Sequence, residues 1–339
     1  MSAGKIQFPG QGFFFLSDRF KRAVAELLLC SNNVTGTDPD KSGSVFIFQE
    51  QKKTMKEIKN TFFEGERPCF AAKDTRFEQV KFYPGESAIK HCSDIEASHC
   101  EFMGKYPFWH NENVLIEDCL FTVYARAAIW YTKNLRMRNT KVDAPKMFRE
   151  MDGLYLDHVV LSDAEETCWN CRDVELRNVT IRRGDYFMMN GRDILVENVD
   201  MQGNYSFQDA RNVTIRNSRL DSKDAFWGSE NVTVYDSVLD GEYLGWHSKN
   251  LRLVNCTIKG TQALCYTTDL VMENCIMEES ADLCFEYSTL DADIISSVTS
   301  IKNPKGGRIH AREIGELIID ENCVNPGACK ISTEEKVSA

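Results

Sequence analysis

The chain has 339 residues, of which 51 are acidic and 40 are basic, giving a formal net charge of −11. A nucleic-acid binder normally carries a basic surface, so this balance argues against nucleic acid as a partner. No apolar run approaches the roughly 20 residues of a membrane span. The hydrophobic content of 42% is typical of a folded, soluble protein.

The first ten residues, MSAGKIQFPG, lack the basic and long apolar stretches of a secretory signal, so we expect a cytoplasmic protein. A reducing compartment disfavours disulfides among the thirteen cysteines. Cys168 and Cys171 have the spacing of a metal-binding pair, but a zinc site would need a second pair. We therefore expect stacked core thiols there, with no metal and no cofactor.

Residues 1–54 show no repeat. Repeat arrays usually need a cap at each open end, so this segment is predicted to be either an N-terminal cap or a loosely ordered extension.

A unit of 19–21 residues recurs from residue 55 to residue 288. A fixed period near 20 residues is typical of a solenoid, in which each repeat stacks on the next. The unit starts are Asp74, Asp94, Asn113, Asn134, Gly153, Asp173, Asp193, Asn212, Asn231, Asn250 and Asp269.

Residues at equal offsets from the unit start are alike. Apolar residues one and three positions after the start, with polar residues between them, predict a short strand with one buried face. Asn and Asp recur five positions after the start and predict a turn, because they tolerate a left-handed backbone. A second strand follows, and a third apolar patch precedes the next start. This pattern predicts an all-β, right-handed, single-stranded parallel β-helix of about twelve coils, with closing coils and an irregular tail over residues 289–339.

The repeat is similar to the pectin-lyase-like right-handed β-helix superfamily. Phrases such as FFEGERPCF, ARAAIWYT, DAEETCW, GDYFMMN and SKDAFW resemble one bacterial domain-of-unknown-function family within it, over about residues 55–320. Some members carry a hydrogenase-component label, yet the chain has no cysteine spacing of the kind that iron–sulfur ligation needs. The resemblance therefore implies a fold and no particular mechanism.

All five tryptophans occupy one column, four residues before a unit start. The residues five before each start are apolar. If that apolar column points inward, alternation directs the tryptophans outward. The alternative is a wide internal corner filled by the rings, although Arg149 in the same column favours the outside.

Polar residues seven and eight positions before each start form a band beside the tryptophans. Exposed aromatic rows can stack on sugar rings, while acids and amides bind sugar hydroxyls. The alternative is a solvated corner whose charges alternate between coils. The residues predicted to bind a ligand are Trp130, Arg149, Trp169, Tyr186, Tyr205, Lys223, Trp227, Tyr243 and Trp246.

Three carboxylates of this band, Glu166, Asp185 and Asp224, are the acid/base candidates for a glycoside hydrolase. Lys146 is the candidate base for a polysaccharide-lyase-like reaction. No motif selects one reaction. The sequence predicts a protein that binds or processes a carbohydrate, with an oligosaccharide as ligand. The alternative is a non-catalytic scaffold that uses the same face for a protein partner.

Overall fold

A computed structural model describes residues 54–334, and its regular elements over this range are all β-strands. The strands are β1 (Lys56–Lys59), β2 (Phe62–Glu66), β3 (Lys73–Glu78), β4 (Lys81–Glu86), β5 (Ile89–Lys90), β6 (Ser93–Ser98), β7 (Glu101–Phe102), β8 (Phe108–Trp109), β9 (Glu112–Glu117), β10 (Leu120–Phe121), β11 (Ile129–Trp130), β12 (Lys133–Arg138), β13 (Lys141–Val142), β14 (Asp152–Asp157), β15 (Val160–Leu161), β16 (Arg172–Arg177), β17 (Thr180–Ile181), β18 (Arg192–Glu197), β19 (Asp200–Gln202), β20 (Arg211–Arg216), β21 (Arg219–Asp221), β22 (Glu230–Tyr235), β23 (Val238–Asp240), β24 (Lys249–Val254), β25 (Thr257–Lys259), β26 (Leu270–Met277), β27 (Thr289–Lys302), β28 (Gly306–Ile318) and β29 (Cys329–Thr333).

The first strand of every coil pairs in parallel with the first strand of the next coil. The register keeps equal offsets together, so that Ile194 lies opposite Val213 and Val213 lies opposite Val232. A second parallel ladder is formed by the short strands that follow each turn, and a third by β5, β8 and β11. The all-β parallel β-helix predicted from the period is confirmed. The members of the first ladder are β1, β3, β6, β9, β12, β14, β16, β18, β20, β22, β24, β26, β27, β28 and β29.

These fifteen strands exceed the predicted count of about twelve coils. Twelve of them fall in the repeat region, and β27, β28 and β29 add three in the closing segment. The tail predicted to be irregular contains β29, which pairs with β28 between Gly307 and Ala311. Alternating polar and apolar residues in this short stretch suffice for a strand once β28 supplies an edge. The predicted N-terminal segment, residues 1–54, lies almost entirely outside the described residues.

The core is made of stacked like residues. Phe82, Phe102 and Phe121 lie eight positions after successive unit starts, with ring centroids 4.9 Å and 4.6 Å apart along the stack. Cys100 and Cys119, six positions after their starts, are both buried, and the Cys100 amide donates to the Cys119 sulfur over 3.3 Å. The twelve described cysteines are free thiols, as expected from packing rather than cross-linking.

The backbone is left-handed where the sequence repeats Asn and Asp. Asn212, at a unit start and inside β20, has a φ of 56°, and Asn217, in the bend after β20, has a φ of 48°. A left-handed backbone costs most residues about 1–2 kcal/mol, and Asn and Asp visit it more readily because their short side chains bond locally. The Asn and Asp residues at these two positions therefore set the direction in which the chain turns within each coil.

Candidate functional site

The tryptophan column lies on the outside of the coils. Residues five before each unit start, such as Phe108 and Phe226, are buried, and the adjacent tryptophans are half-buried. Alternation along the backbone accounts for this arrangement. Of the two placements of the tryptophan rings considered in the sequence analysis, the outward one is correct.

Four indole N–H groups bond to backbone carbonyl oxygens of the following coil, which fixes the rings against the solenoid. These bonds run from Trp109 to Ala127 (3.1 Å), from Trp130 to Lys146 (2.9 Å), from Trp169 to Tyr186 (2.7 Å) and from Trp246 to Gln262 (2.8 Å). Because each acceptor lies one coil further along, the rings stand over the seam between coils.

Cations and rings form a continuous stack over the first part of this column. Lys90 lies 5.1 Å from the Trp109 ring, whose centroid is 5.6 Å from that of Trp130 at an interplanar angle of 17°. The Arg149 guanidinium then lies 5.0 Å from Trp130 and 4.1 Å from Trp169. The faces of Trp109 and Trp130 are thus covered on both sides, so Trp130 presents only its edge to a ligand.

The column is interrupted after Trp169, where the next two coils place Met189 and Gln208 at the same offset. Beyond them Trp227 stacks on Trp246 with centroids 5.7 Å apart. Within residues 54–334, no ring or cation covers the second face of Trp169 or the face of Trp227 directed toward Gln208. We call the interval between these two faces the slot, with Met189 and Gln208 as its floor.

Glu166 is held in an ion cluster at one end of the slot. Its carboxylate lies 3.0 Å from the Lys146 ammonium and 2.5 Å from the Arg149 guanidinium. Partial burial raises the pKa of the Glu166 carboxyl, but the hydrogen bonds and charges of Lys146 and Arg149 outweigh it and hold the pKa below its usual range. Glu166 is therefore ionised, and both donors bond to the same carboxylate oxygen, Oε2. Lys146 is engaged in this ion pair.

Tyr186, Tyr205 and Asp224 follow Glu166 in the same column, alongside the slot. The two tyrosine rings stack with centroids 4.9 Å apart, and the Tyr205 hydroxyl hydrogen-bonds to Asp224. Asp224 is only 3% exposed. Burial raises the pKa of its carboxyl, against the lowering effects of the Lys223 charge and the Tyr205 hydrogen bond. The charge of Asp224, followed by burial, in turn raises the pKa of Tyr205.

The remaining polar candidates border this pair. Asp185 accepts hydrogen bonds from the backbone and side-chain nitrogens of Asn204 over 2.8 Å and 3.1 Å. Lys223 lies 3.2 Å from Glu242 and 5.0 Å from the ring of Tyr243. These groups can offer hydroxyl, amide, carboxylate and ammonium contacts to one ligand.

The structure therefore divides the predicted site residues into three groups. The ion cluster holds Lys146, Arg149 and Glu166, with Trp130 against Arg149. The slot and the polar residues beside it comprise Trp169, Asp185, Tyr186, Tyr205, Lys223, Asp224 and Trp227. The far stack contains Tyr243 and Trp246, in which Tyr266 also lies 4.9 Å from the Trp246 ring. Sequence analysis missed Met189, Gln208 and Asn204. A signal for Met189 and Gln208 was present in the sequence. Between Trp109 and Trp246, they are the only residues four before a unit start that are neither aromatic nor cationic.

Other clusters offer less chemistry. Among the described residues, no three His, Cys, Asp or Glu side chains are grouped so as to hold a metal ion. Cys168 and Cys171 are buried, and burial raises the pKa of the Cys168 thiol well above its usual value. An open groove of about 470 Å³, lined by residues such as Lys81 and His99, lies at a different corner of the coils.

Within residues 54–334, no helix is long and apolar enough to cross a membrane.

The chain belongs to the family described as "Protein of unknown function (DUF3737)", whose profile matches residues 56–332. The family predicted from the sequence phrases is thereby confirmed. No curated protein matches the sequence.

Several solved structures are similar to this chain at low identity. The A-module of the mannuronan C-5 epimerase AlgE4 of Azotobacter vinelandii is 10% identical, with 82% of this chain and 91% of that chain covered and a TM-score of 0.35. The surface adhesin PfbA of Streptococcus pneumoniae is 10% identical, with coverages of 77% and 76% and a TM-score of 0.30. The catalytic domain of a GH87 alpha-1,3-glucanase is 9% identical, with coverages of 84% and 64% and a TM-score of 0.27. Likenesses of this size say nothing about the chemistry of this chain.

Proposed function

We propose that this protein binds an oligosaccharide in the slot between Trp169 and Trp227. The observation that carries the proposal is the interruption of the stacked column at Met189 and Gln208, which leaves one face of Trp169 and one of Trp227 without an aromatic or cationic neighbour among the described residues. Three coil steps separate these faces, or about 14 Å at the usual spacing of neighbouring strands.

Open aromatic faces suit sugars because one face of a sugar ring is lined by C–H groups and its rim by hydroxyls. Polar residues beside the slot supply hydrogen-bond partners for those hydroxyls. Tyr186 is 38% exposed, and Asn204 and Lys223 are exposed beside it. Ligand sites commonly combine apolar surface with a few polar groups that fix orientation.

The test is a thermal-shift and tryptophan-fluorescence screen with neutral, uronic and amino-sugar hexasaccharides. A ligand that binds the native state at 100 times its Kd stabilises it by about 2.7 kcal/mol, so the melting temperature rises. Met189→Trp is the blocking variant, because an added ring would stack on the second face of Trp169 and occupy that end of the slot. Loss of the shift in this variant supports the proposal. A shift of equal size in both proteins would show that the sugar binds outside the slot, and no shift with any sugar would favour the scaffold function.

A finer proposal concerns catalysis. Burial raises the pKa of the Asp224 carboxyl, as a general acid requires, whereas the pKa of the Glu166 carboxyl is held below its usual range by Lys146 and Arg149. Because Asp224 is buried, we propose that it donates its proton to the Tyr205 hydroxyl, which donates its own to the glycosidic oxygen of a bound sugar. The C–O bond to that oxygen then breaks, water takes its place on the sugar carbon, and the proton released by the water restores the acid. Glu166 and Lys146 then position the ligand rather than transfer protons.

Turnover of any hexasaccharide that passes the screen tests this assignment. General acid catalysis is worth about 100-fold or more, so Asp224→Asn and Tyr205→Phe should each lower kcat by at least that factor while binding persists. Glu166→Gln should leave kcat within about tenfold of the wild type. An inverted order, with Glu166→Gln inactive and Asp224→Asn active, would reject the assignment.

A further inference from the structure

The closing strands leave one strand edge open. β28 pairs with β27 as far as Ile318, whereas β29 lies only against Gly307–Ala311. Among the residues that the structure describes, none pairs with the outer edge of Arg312–Ile318. Glu313, Gly315 and Glu316 are exposed there, and Leu317 is 47% exposed.

The backbone groups of this edge are directed outward. The Ala311 carbonyl accepts from the Glu334 amide on the outer side (3.2 Å), and the Ile318 carbonyl accepts from the Asn303 amide on the inner side (3.0 Å). Backbone N–H and C=O groups alternate between the two sides of a strand in a ladder. Glu313, Gly315 and Leu317 therefore direct theirs toward the open edge.

Such an edge is a template for strand pairing, and proteins usually block it with lysine, proline or a bulge. Residues 312–318 read REIGELI and contain neither lysine nor proline. The apolar side chains of Leu317 and Ile319, 47% and 46% exposed, add surface that gains from being covered.

The sequence of the edge is complementary to itself in the antiparallel direction. With Ile314 opposite its own copy, Arg312 of each strand faces Glu316 of the other, and Glu313 faces Gly315. Opposite charges across an antiparallel pair stabilise it, whereas like charges destabilise it. In a register with Glu313 opposite its own copy, two like charges would face each other. In a register with Gly315 opposite its own copy, both Arg312–Glu316 ion pairs would be lost.

We infer that a second copy of this chain docks on the open edge, through antiparallel pairing of Arg312–Glu316 about a two-fold axis. An isologous contact of this kind closes on itself and gives a dimer. The paired segment is short, so the interface is of the small, transient class and the dimer dissociates on dilution.

Sedimentation velocity of the full chain, from about 10 to about 300 µM, tests the inference at concentrations suited to a transient interface. The average mass should rise with concentration toward twice the monomer mass. Glu316→Arg should weaken association at least tenfold, and adding Arg312→Glu to it should restore association by exchanging the charges. Glu112→Arg, an exposed change on β9, is the matched control and should have no effect.

Hydrogen exchange gives a second readout that does not depend on any variant. The amides of Glu313 and Gly315, which face each other in the paired segment, should become protected at high protein concentration. A monomer throughout the range would overturn the inference. So would a dimer that Glu316→Arg leaves unchanged, or one whose formation does not protect these amides.

Discussion

Asn212 donates its side-chain amide to the carboxylate of Asp193 over 2.8 Å, one coil below it. Every hydrogen-bonded run of asparagines with at least two members follows the same polarity and ends in a carboxylate on its N-terminal side. An ionised carboxylate only accepts, so it can stand only at the acceptor end of an amide ladder. The runs are Asn134–Asn113–Asp94, Asn198–Asn178–Asp157, Asn190–Asn170–Glu150, Asn250–Asn231–Asn212–Asp193 and Asn274–Asn255–Asp236.

The polarity predicts unequal effects for two exchanges within one ladder. Asn212→Asp would oppose two carboxylates with no donor between them, lowering the free energy of unfolding by about 1 kcal/mol. Asp193→Asn keeps an acceptor oxygen in place and should cost less than about 0.5 kcal/mol. Urea unfolding of both variants at pH 7 measures the difference. Equal costs would show that the ladder polarity does not matter.

The sandwich of Arg149 between Trp130 and Trp169 should contribute measurably to stability. The Arg149 side chain is 17% exposed and also pairs with Glu166. Arg149→Leu should cost about 2 kcal/mol, because it removes a cation–π contact on each face and leaves Glu166 short of a partner. Arg172→Leu is the matched control. Its ion pair with Asp152 is exposed on both sides, so its loss should cost less than about 1 kcal/mol by the same unfolding assay.

Asp224 should make the protein less stable as the pH rises. Its folded-state pKa is raised by burial, so the native state holds this proton more tightly than the unfolded chain does. Its contribution is therefore fully present below the unfolded pKa of about 4 and is lost as the pH rises through the folded value. Asp224→Asn should gain stability relative to the wild type between pH 4 and pH 7, as urea titrations at both values would show. A constant difference between the two proteins would contradict the assignment.

Most cysteines should be unreactive in the native state. Burial raises the pKa of Cys69, Cys265 and Cys275 each to about 12, and a buried thiol is also out of reach of a reagent. In a Cys30→Ser variant, a native-state titration with a thiol reagent at pH 8 should modify at most Cys323 and Cys329, the two half-buried cysteines. Rapid modification of further thiols would show that the coils open locally.

Much of the fold can be predicted from the sequence because each coil of a solenoid repeats the same pattern of residues. The 19-residue spacing of Asn212, Asn231 and Asn250 predicted both the stacking and the turns. Closing coils were predicted after residue 288, but the length and number of their strands could not be, because β27 and β28 are long strands without the repeat. Their pairing depends on the edge of the preceding coil rather than on a local pattern.

The site was predictable only in part. The tryptophan column could be read from the sequence, and alternation gave its outward direction. Whether the faces of Trp130 were open could not be read, because ring stacking depends on the rise between coils and on bonds such as Trp130 to Lys146. The burial of Asp224 and the ion pairs of Glu166 likewise depend on side chains about 20 residues away in sequence.

The most direct test of the slot is fluorine NMR of the protein labelled with 5-fluorotryptophan. The five resonances can be assigned by single Trp→Phe variants, and a hexasaccharide from the thermal-shift screen is then titrated in. The resonances of Trp169 and Trp227 should move together while those of Trp109 and Trp130, whose faces are covered, stay in place. Movement confined to Trp109, Trp130 or Trp246, with Trp169 and Trp227 unchanged, would contradict the account.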